Sequence, residues 1–212
     1  MAATQNYLAL DLGAESGRAI LGQFDGKKFT LSEVHRFPNF PISMPQKHGG
    51  SSLRWDILRL WSEVKEGILR ITRKQGKTIT AIGVDTWGVD FGLFDEKGAI
   101  ISAPYAYRDK RTDGMMEKAF ERLSREHIFE QTGIQFLQLN SLYQLLAMVL
   151  DNAPEFKIAK TRLTVFNVSI FSLFLNFNNH EYATFNFEKS PFFRSIFNKY
   201  FFCIYFILGS SL

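Results

Sequence analysis

A short acidic and glycine-rich segment near the start of the chain has the residue types of a phosphate-binding turn. It runs from Asp11 to Arg18 with the sequence Asp-Leu-Gly-Ala-Glu-Ser-Gly-Arg. Successive backbone N–H groups in a tight turn can bind an anion, and glycine lets a ligand approach the backbone closely. Ser16 and Arg18 add side-chain donors for phosphate oxygens. Asp11 ends an apolar run, where its carboxylate can hold Mg²⁺ through water.

Two better-known phosphate motifs do not fit this segment. The glycine spacing differs from G-x-G-x-x-G, and the residues after the turn predict a strand, so no helix N-terminus would face a pyrophosphate. A Walker loop needs a lysine followed by Ser or Thr, which the segment lacks. Spacing alone leaves two interpretations open: a strand-turn-strand phosphate site, or an ordinary glycine hairpin with Arg18 in solvent.

A second segment, Ile82 to Phe91, carries polar groups directly after an apolar run. In open α/β sheets, polar side chains at strand ends converge on ligands. Trp87 offers a flat apolar surface, Gly88 permits close approach, and the Asp90 carboxylate can accept hydrogen bonds from sugar hydroxyls. The alternative is a loop with a half-buried tryptophan and solvated acids.

Other reactive groups do not form a recognisable site. The segment Tyr105 to Thr112 mixes charges with aromatics, but its acids dilute any nucleic-acid-binding patch, and we expect an internal ion pair such as Asp109 with Arg111. The four histidines lack metal-ligand spacing, and Cys203 has no plausible base beside it. Metal–thiolate and cysteine-nucleophile chemistry are therefore disfavoured.

The elements that would position these residues alternate between strands and helices. Apolar runs predict strands at Tyr7–Asp11, Arg18–Phe24 and Phe29–Phe37, which form an antiparallel meander followed by a loop from Pro38 to Ser52. One apolar helical stripe then predicts a long helix, with the members Ile57, Trp61, Val64, Ile68 and Ile71.

Further along, shorter patterns continue the alternation. We predict a buried strand at Thr78–Val84 and strands at Phe91–Phe94 and Ala99–Ala103. Two later helices are predicted, one capped by Asp113 with Met116, Phe120 and Leu123 on its apolar side, the other capped by Asn140 or Ser141 with Leu142, Leu145, Leu146 and Val149 as its stripe. This order predicts an α/β domain with a mixed sheet.

Composition limits the class of protein. The chain has 212 residues, 46% hydrophobic and 22% charged, which is enough to form a core, and its formal net charge of +4 argues only weakly for a nucleic-acid partner. One cysteine suits a reducing compartment. We see no signal peptide, and Tyr200–Leu208 is far shorter than the roughly 20 residues that a membrane-spanning helix needs. A cytoplasmic protein with no membrane partner is expected.

The end of the chain differs from the rest in composition. Twelve of the 22 phenylalanines follow Val165, together with many asparagines and few charges. Because Phe, Asn, Ile, Tyr and Lys share A/T-rich codons, we interpret residues 161–212 as translated noncoding or frameshifted sequence, and an unusual apolar subdomain is the alternative. We place the domain boundary so that residues 1–160 form one domain.

Taken in order, these segments resemble the N-terminal domain of the FGGY carbohydrate kinases, of the actin/hexokinase-like (ribonuclease H-like) superfamily. The resemblance covers residues 5 to about 158 and is strongest to the branch acting on L-rhamnulose. Besides the Asp11–Arg18 turn it rests on His35–Phe37, Trp55–Asp56, Asp85–Phe91, Ala106–Asp109, Gly133–Phe136 and Leu142–Leu145.

The resemblance implies ATP-dependent transfer of a phosphoryl group to a ketose such as L-rhamnulose, giving the 1-phosphate in rhamnose breakdown. ATP, Mg²⁺ and the sugar are the implied ligands. It assigns the nucleotide phosphates to Ala14, Glu15, Ser16, Gly17 and Arg18, the metal to Asp11, and the sugar to Gly88 and, less directly, Asp90.

The resemblance also predicts what this chain lacks. Family members are more than twice as long, and their general base lies beyond the part matched here. We therefore expect little or no turnover from this polypeptide alone. The alternative is a noncatalytic fragment that keeps some sugar or partner binding.

Overall fold

The computed structural model describes residues 4–47 and 49–159, together with the backbone of three short strands further along. Within the phenylalanine-rich tail only the backbone of these three strands is described, and our interpretation of its origin stays a prediction. Cys203 lies outside the described residues. The chain divides into two units. Unit 1 is Met1–Ile42 with Asp56–Trp87, and unit 2 is Ser43–Trp55 with Gly88–Leu212.

Strands and helices follow one another in a mixed order. The strands are β1 Gln5–Leu12, β2 Ser16–Phe24, β3 Phe29–Pro38, β4 Ile42–Pro45, β5 Ser51–Arg54, β6 Ala81–Thr86, β7 Phe91–Phe94, β8 Arg162–Val165, β9 Ala183–Phe185 and β10 Ile204–Phe206. The α-helices are α1 Ile57–Leu69, α2 Met115–Phe120, α3 Arg125–Thr132, α4 Ser141–Leu150 and α5 Glu155–Ile158. A π-helical turn Arg70–Lys74 continues α1, and a short 3₁₀ helix spans Lys110–Thr112.

Unit 1 is built on a four-stranded mixed sheet in the order β3-β2-β1-β6. The first three strands are antiparallel, whereas β6 runs parallel to β1. The predicted opening meander and mixed sheet are therefore confirmed. Because β1 and β6 are parallel, their carboxyl ends lie at the same edge of this sheet, next to the start of β2.

Helix α1 covers one face of that sheet. Its N-cap is Asp56, whose side chain accepts a hydrogen bond from the Arg59 N–H at 3.0 Å. A Cβ atom at Gly67 would lie only 2.7 Å from the Cβ of Ala19, so the helix packs very closely on β2. The predicted stripe is shifted by part of a turn. The buried positions are Ile57, Leu60, Val64, Gly67 and Ile71, whereas Trp61 and Ile68 are half-buried.

Strand β6 differs from its prediction. It begins at Ala81 instead of Thr78, and its residues alternate between exposed and half-buried. The expected full burial is wrong, because β6 is an edge of the described sheet of unit 1. An edge strand lacks a neighbour on one side, so its apolar side chains keep contact with solvent.

The core of unit 2 is organised around α4. Residues 143–148 of this helix are all buried, which is typical of a helix surrounded by packing partners. Leu145 and Met148 pack with the strand residues Phe91 and Leu93, whereas other α4 residues pack with Met115 and Ile128 of α2 and α3. The predicted stripe of Leu142, Leu145, Leu146 and Val149 identified only part of this surface, with Leu142 and Val149 partly buried.

Several local predictions need correction. The segment Pro38–Ser52, predicted as a loop, contains β4 and the first residues of β5, and these two strands pair with each other. Helix α2 has Gly114 at its N-cap, in the left-handed conformation, instead of Asp113. The stretch Ala99–Ala103 forms only a single bridge, between Ile100 and Phe94. Asn140 is the N-cap residue of α4, although its side chain makes no capping bond.

Candidate functional site

The hairpin between β1 and β2 has the strand-turn-strand form that the phosphate hypothesis requires. Leu12 pairs with Gly17, and the Gly13 N–H donates to the Ser16 carbonyl at 2.9 Å. The tip is accessible, since Glu15 is exposed and its neighbours are half-buried. The chain leaves the turn as a strand, so the dinucleotide and Walker geometries are excluded by structure as well as by sequence.

Asn39 supports the tip from below, a role that sequence reasoning missed. Its side-chain amide donates to the Gly13 carbonyl at 2.8 Å, and its own N–H donates to the Glu15 carbonyl at 2.9 Å. Asn39 is only 3% exposed, so these bonds are protected from water. The hairpin tip is thus held in one shape before any ligand arrives.

Gly17 is needed for packing inside unit 1. A Cβ atom there would lie 2.1 Å from Cζ of the buried Phe37 ring, which lies directly over the glycine. Glycine at this position is therefore explained by the close approach of an aromatic ring. Its predicted role toward phosphate stays a prediction.

Four charged residues lie side by side at the end of the sheet where β1 and β6 finish. Asp11 is the register partner of Arg18 on β2 and of Asp85 on β6, and Arg18 is in turn the partner of Arg36 on β3. Directly paired residues point to the same face of a sheet. The Arg18 guanidinium donates to the Asp11 carboxylate, and both side chains remain partly exposed.

This row suits a phosphate group and its accompanying cation. Arg18 offers a charged donor, while Mg²⁺ typically binds through one or two carboxylates plus substrate phosphates and several waters. Asp11 and its register neighbour Asp85 can supply those one or two carboxylates. Within the described residues there is no cluster of three or more acidic, histidine or cysteine side chains that would hold a metal unaided.

The second predicted site lies in unit 2, in the loop between β6 and β7. Gly88 faces open space, since a Cβ atom there would meet no atom within 4 Å. Asp90 is fully buried, and its carboxylate accepts from Trp55 Nε1 at 2.6 Å and from Gln144 Nε2 at 3.0 Å. Asp90 thus has bonds inside the unit, and its role toward a sugar stays a prediction.

The expected side-chain ion pair between Asp109 and Arg111 does not form. The Asp109 carboxylate instead accepts from the backbone N–H groups of Leu53, at 2.7 Å, and Arg111, at 2.9 Å. The Arg111 guanidinium stacks on the Tyr105 ring and donates to Gln144 Oε1 at 2.5 Å. Burial lowers the pKa of Arg111 to about 10.

The predicted residues therefore fall into two groups. The residues assigned to nucleotide and metal, Asp11 and Ala14 to Arg18, lie together on one hairpin of unit 1. Gly88 and Asp90 lie together on one loop of unit 2. Sequence reasoning missed the buried polar groups that support each site, since a lone Asn or Gln in sequence gives no sign of its partners.

No helix among the described residues is long and apolar enough to cross a membrane.

Comparison with solved structures defines the class of fold. A xylulose kinase from Rhodospirillum rubrum superposes with a TM-score of 0.64 at 17% identity, covering 80% of this chain and 34% of that one. A gluconate kinase from Lactobacillus acidophilus gives 0.60 at 17% identity, covering 75% and 31%. The chain therefore has the actin/hexokinase-like fold.

Sequence comparison then gives the family. The model of the FGGY family of carbohydrate kinases, N-terminal domain, matches residues 6–178, and this chain belongs to that family. Similar proteins include a rhamnulokinase from Mannheimia succiniciproducens, 44% identical over 149 residues, and one from Bacteroides thetaiotaomicron, 45% identical over 141. These alignments cover 69% and 66% of this chain but only 30% and 28% of the relatives. The predicted boundary at residue 160 stays a prediction.

Proposed function

We propose that this chain carries the nucleotide-phosphate half of an ATP-dependent sugar kinase whose acceptor is a ketose such as L-rhamnulose. The observation that carries the proposal is the Asp11–Arg18 pair on an accessible, pre-shaped hairpin at the carboxyl end of two parallel strands. The similarity to rhamnulokinases at 43–45% identity supports this choice of sugar. We place the protein in the cytoplasm, where ATP is available.

Each hairpin group would have a separate task. The backbone N–H groups from Ala14 to Gly17, with the Ser16 hydroxyl, would bind phosphate oxygens, and Arg18 would neutralise charge on the transferring group. Asp11 would hold Mg²⁺, which supplies further positive charge against the phosphates when bound. Arg18 would exchange its bond to Asp11 for one to phosphate. Each member of the Asp11–Arg18 pair would then contact a ligand, Asp11 the metal and Arg18 the phosphate.

The reaction would be an in-line displacement. An oxygen of the sugar hydroxyl attacks the γ-phosphorus, the new O–P bond forms, and the bond to the bridging β–γ oxygen breaks to release ADP. The hydroxyl proton passes to a general base, which we expect beyond the segments assigned here. Positioning and charge neutralisation account for most of the catalysis in such transfers. Gly88 would let the sugar approach the loop of unit 2.

A noncatalytic role has its own support. The chain spans about 30% of the length of the curated relatives that it matches. The groups assigned here bind and position the reactants, and we assign the general base to none of them. On this view the chain binds MgATP or sugar without phosphorylating it.

One assay separates the two possibilities. The full chain is mixed with ATP, Mg²⁺ and L-rhamnulose, ADP formation is followed by a coupled enzyme, and nucleotide binding is measured in parallel by calorimetry. If ADP forms only when sugar is present, and the Asp11→Asn variant forms none, the chain is a kinase. Nucleotide binding without turnover supports the noncatalytic role. Absence of nucleotide binding contradicts the kinase and leaves only the sugar-binding form of the noncatalytic role.

A further inference from the structure

Val89 has an unusual backbone at the centre of the unit 2 loop. Its φ is +69°, in the left-handed region, and Asn152 is the only other non-glycine residue with a positive φ among the described residues. A β-branched side chain is unfavourable there, whereas Asn is tolerated. Such a conformation persists only where the surrounding structure imposes it. The neighbouring groups must therefore hold this loop in place.

Two side chains from the first turn of α4 hold the Val89 carbonyl. The Ser141 hydroxyl donates to it at 2.6 Å, and the Gln144 amide donates to it at 3.1 Å. Positions three apart share one face of a helix, so both donors point toward the same oxygen. The side chain of the N-cap residue Asn140 makes no capping bond and donates to the Gln135 carbonyl, whereas the Ser141 hydroxyl donates to the loop.

Gln144 also binds the residue after Val89. Its Nε2 shares two hydrogens among three acceptors, the Val89 carbonyl, the Asp90 carboxylate at 3.0 Å and the Leu139 carbonyl at 2.9 Å, while its Oε1 accepts from the half-buried Arg111. A glutamate would place a second negative charge beside Asp90, and an apolar side chain would leave the buried Asp90 and Arg111 groups without this link. Only an amide supplies a donor and an acceptor in these directions.

We propose that Ser141 and Gln144 are positioning residues that fix the Val89 backbone and thereby set how Gly88 faces the sugar. The sugar part of this inference rests on the proposed function, whereas the effect on the loop does not. Gly88 has no side chain to anchor it, and the space in its Cβ direction is open. Its orientation therefore depends on the backbone of the residues that follow it, Val89 and Asp90. The held backbone of Val89 would therefore keep the open face of Gly88 in a fixed orientation.

The test is a double-mutant cycle in the full chain. The variants are Ser141→Ala, Val89→Gly and the two combined, with amide hydrogen exchange of residues 88–91 followed by NMR. Ser141 is chosen because it is partly exposed and its loss leaves the Asp90–Trp55 bond intact. Removing one neutral hydrogen bond should speed exchange roughly fivefold. The effect should be smaller in the Val89→Gly background, because glycine adopts a positive φ without restraint.

Controls separate positioning from general stability. Ser141→Thr keeps a hydroxyl and should restore slow exchange. Thr132→Ala removes a similar hydroxyl–carbonyl bond, to Ile128 in α3, and should leave the loop unchanged. Equal effects of Ser141→Ala in both backgrounds, or no effect at all, would overturn the inference.

Titration with L-rhamnulose distinguishes this inference from the proposed function. If the unmodified chain binds the sugar, Ser141→Ala should weaken binding roughly fivefold and Ser141→Thr should restore it. Affinity unchanged by Ser141→Ala would overturn the sugar part of the inference. If the unmodified chain shows no sugar binding while the exchange cycle shows coupling, the clamp on Val89 is supported and the assignment of the sugar to this loop fails.

Discussion

Gly88 is the single residue at which a ligand role is easiest to separate from a structural one. Its Cβ direction is open, and its φ lies outside the left-handed region, so Gly88→Ala should fold normally. If the sugar approaches this face, the added methyl group should weaken L-rhamnulose binding about tenfold. Titration calorimetry on the full chain measures the change.

A matched variant makes this prediction specific. Gly83 in β6 also faces open space, so Gly83→Ala adds the same methyl group away from the loop and should change neither folding nor affinity. Equal affinity of the Gly88→Ala chain and the unmodified chain would show that the sugar does not contact this position.

Residue identity predicted some of the site and missed the rest for physical reasons. Asp11 and Arg18 were identifiable because a hairpin brings close neighbours in sequence together. The burial of Asp90 was not, because it depends on Trp55 and Gln144, which lie far away along the chain. The left-handed backbone of Val89 was equally hidden, since intrinsic preference opposes it and the donors to its carbonyl lie more than 50 residues further along the chain.

Among the elements, strands β2 and β3 pack most tightly where Gly17, at the start of β2, lies against the ring of Phe37 in β3. Gly17→Ala would place a methyl carbon about where the Phe37 ring lies, and such overpacking costs typically 1–3 kcal/mol. We expect the free energy of unfolding, measured with urea, to fall by about that amount. Phe37→Leu should partly relieve the clash, so the double variant should lose less than the sum of the two single changes. Strictly additive losses would contradict the packing described here.

Elements with local signals were predicted well, and those that depend on distant partners were not. The meander was predicted because each strand is joined to the next by a short turn. The exposure of β6 follows from its edge position, which no local pattern reveals. Helix α4 is buried all round because two separate clusters pack on it, so a one-sided stripe described only part of its surface.

For the whole molecule, the phenylalanine-rich end of the sequence is the segment most prone to aggregate by its composition. Segments rich in apolar residues and poor in charge promote aggregation, so we expect deletion of residues 166–212 to raise the soluble yield. Strand β8 pairs with β7 and remains in that variant. Deletion of residues 160–212 removes β8 as well and should yield less soluble protein than the first deletion. An unchanged or lower yield for the deletion of residues 166–212 would count against this view.

The hairpin of unit 1 binds the phosphates of a nucleotide in the function proposed here, and every other assigned role follows from that binding. The most direct measurement is the calorimetric affinity of the full chain for ATP with Mg²⁺, compared between Arg18→Gln and Arg73→Gln. Arg73 is an exposed arginine of unit 1 in the π-helical turn that follows α1, outside the hairpin. A lost charge-assisted bond should weaken ATP binding about tenfold or more for Arg18→Gln, whereas Arg73→Gln should leave it unchanged. Equal affinities for the two variants, or no binding by the unmodified chain, would contradict the central claim.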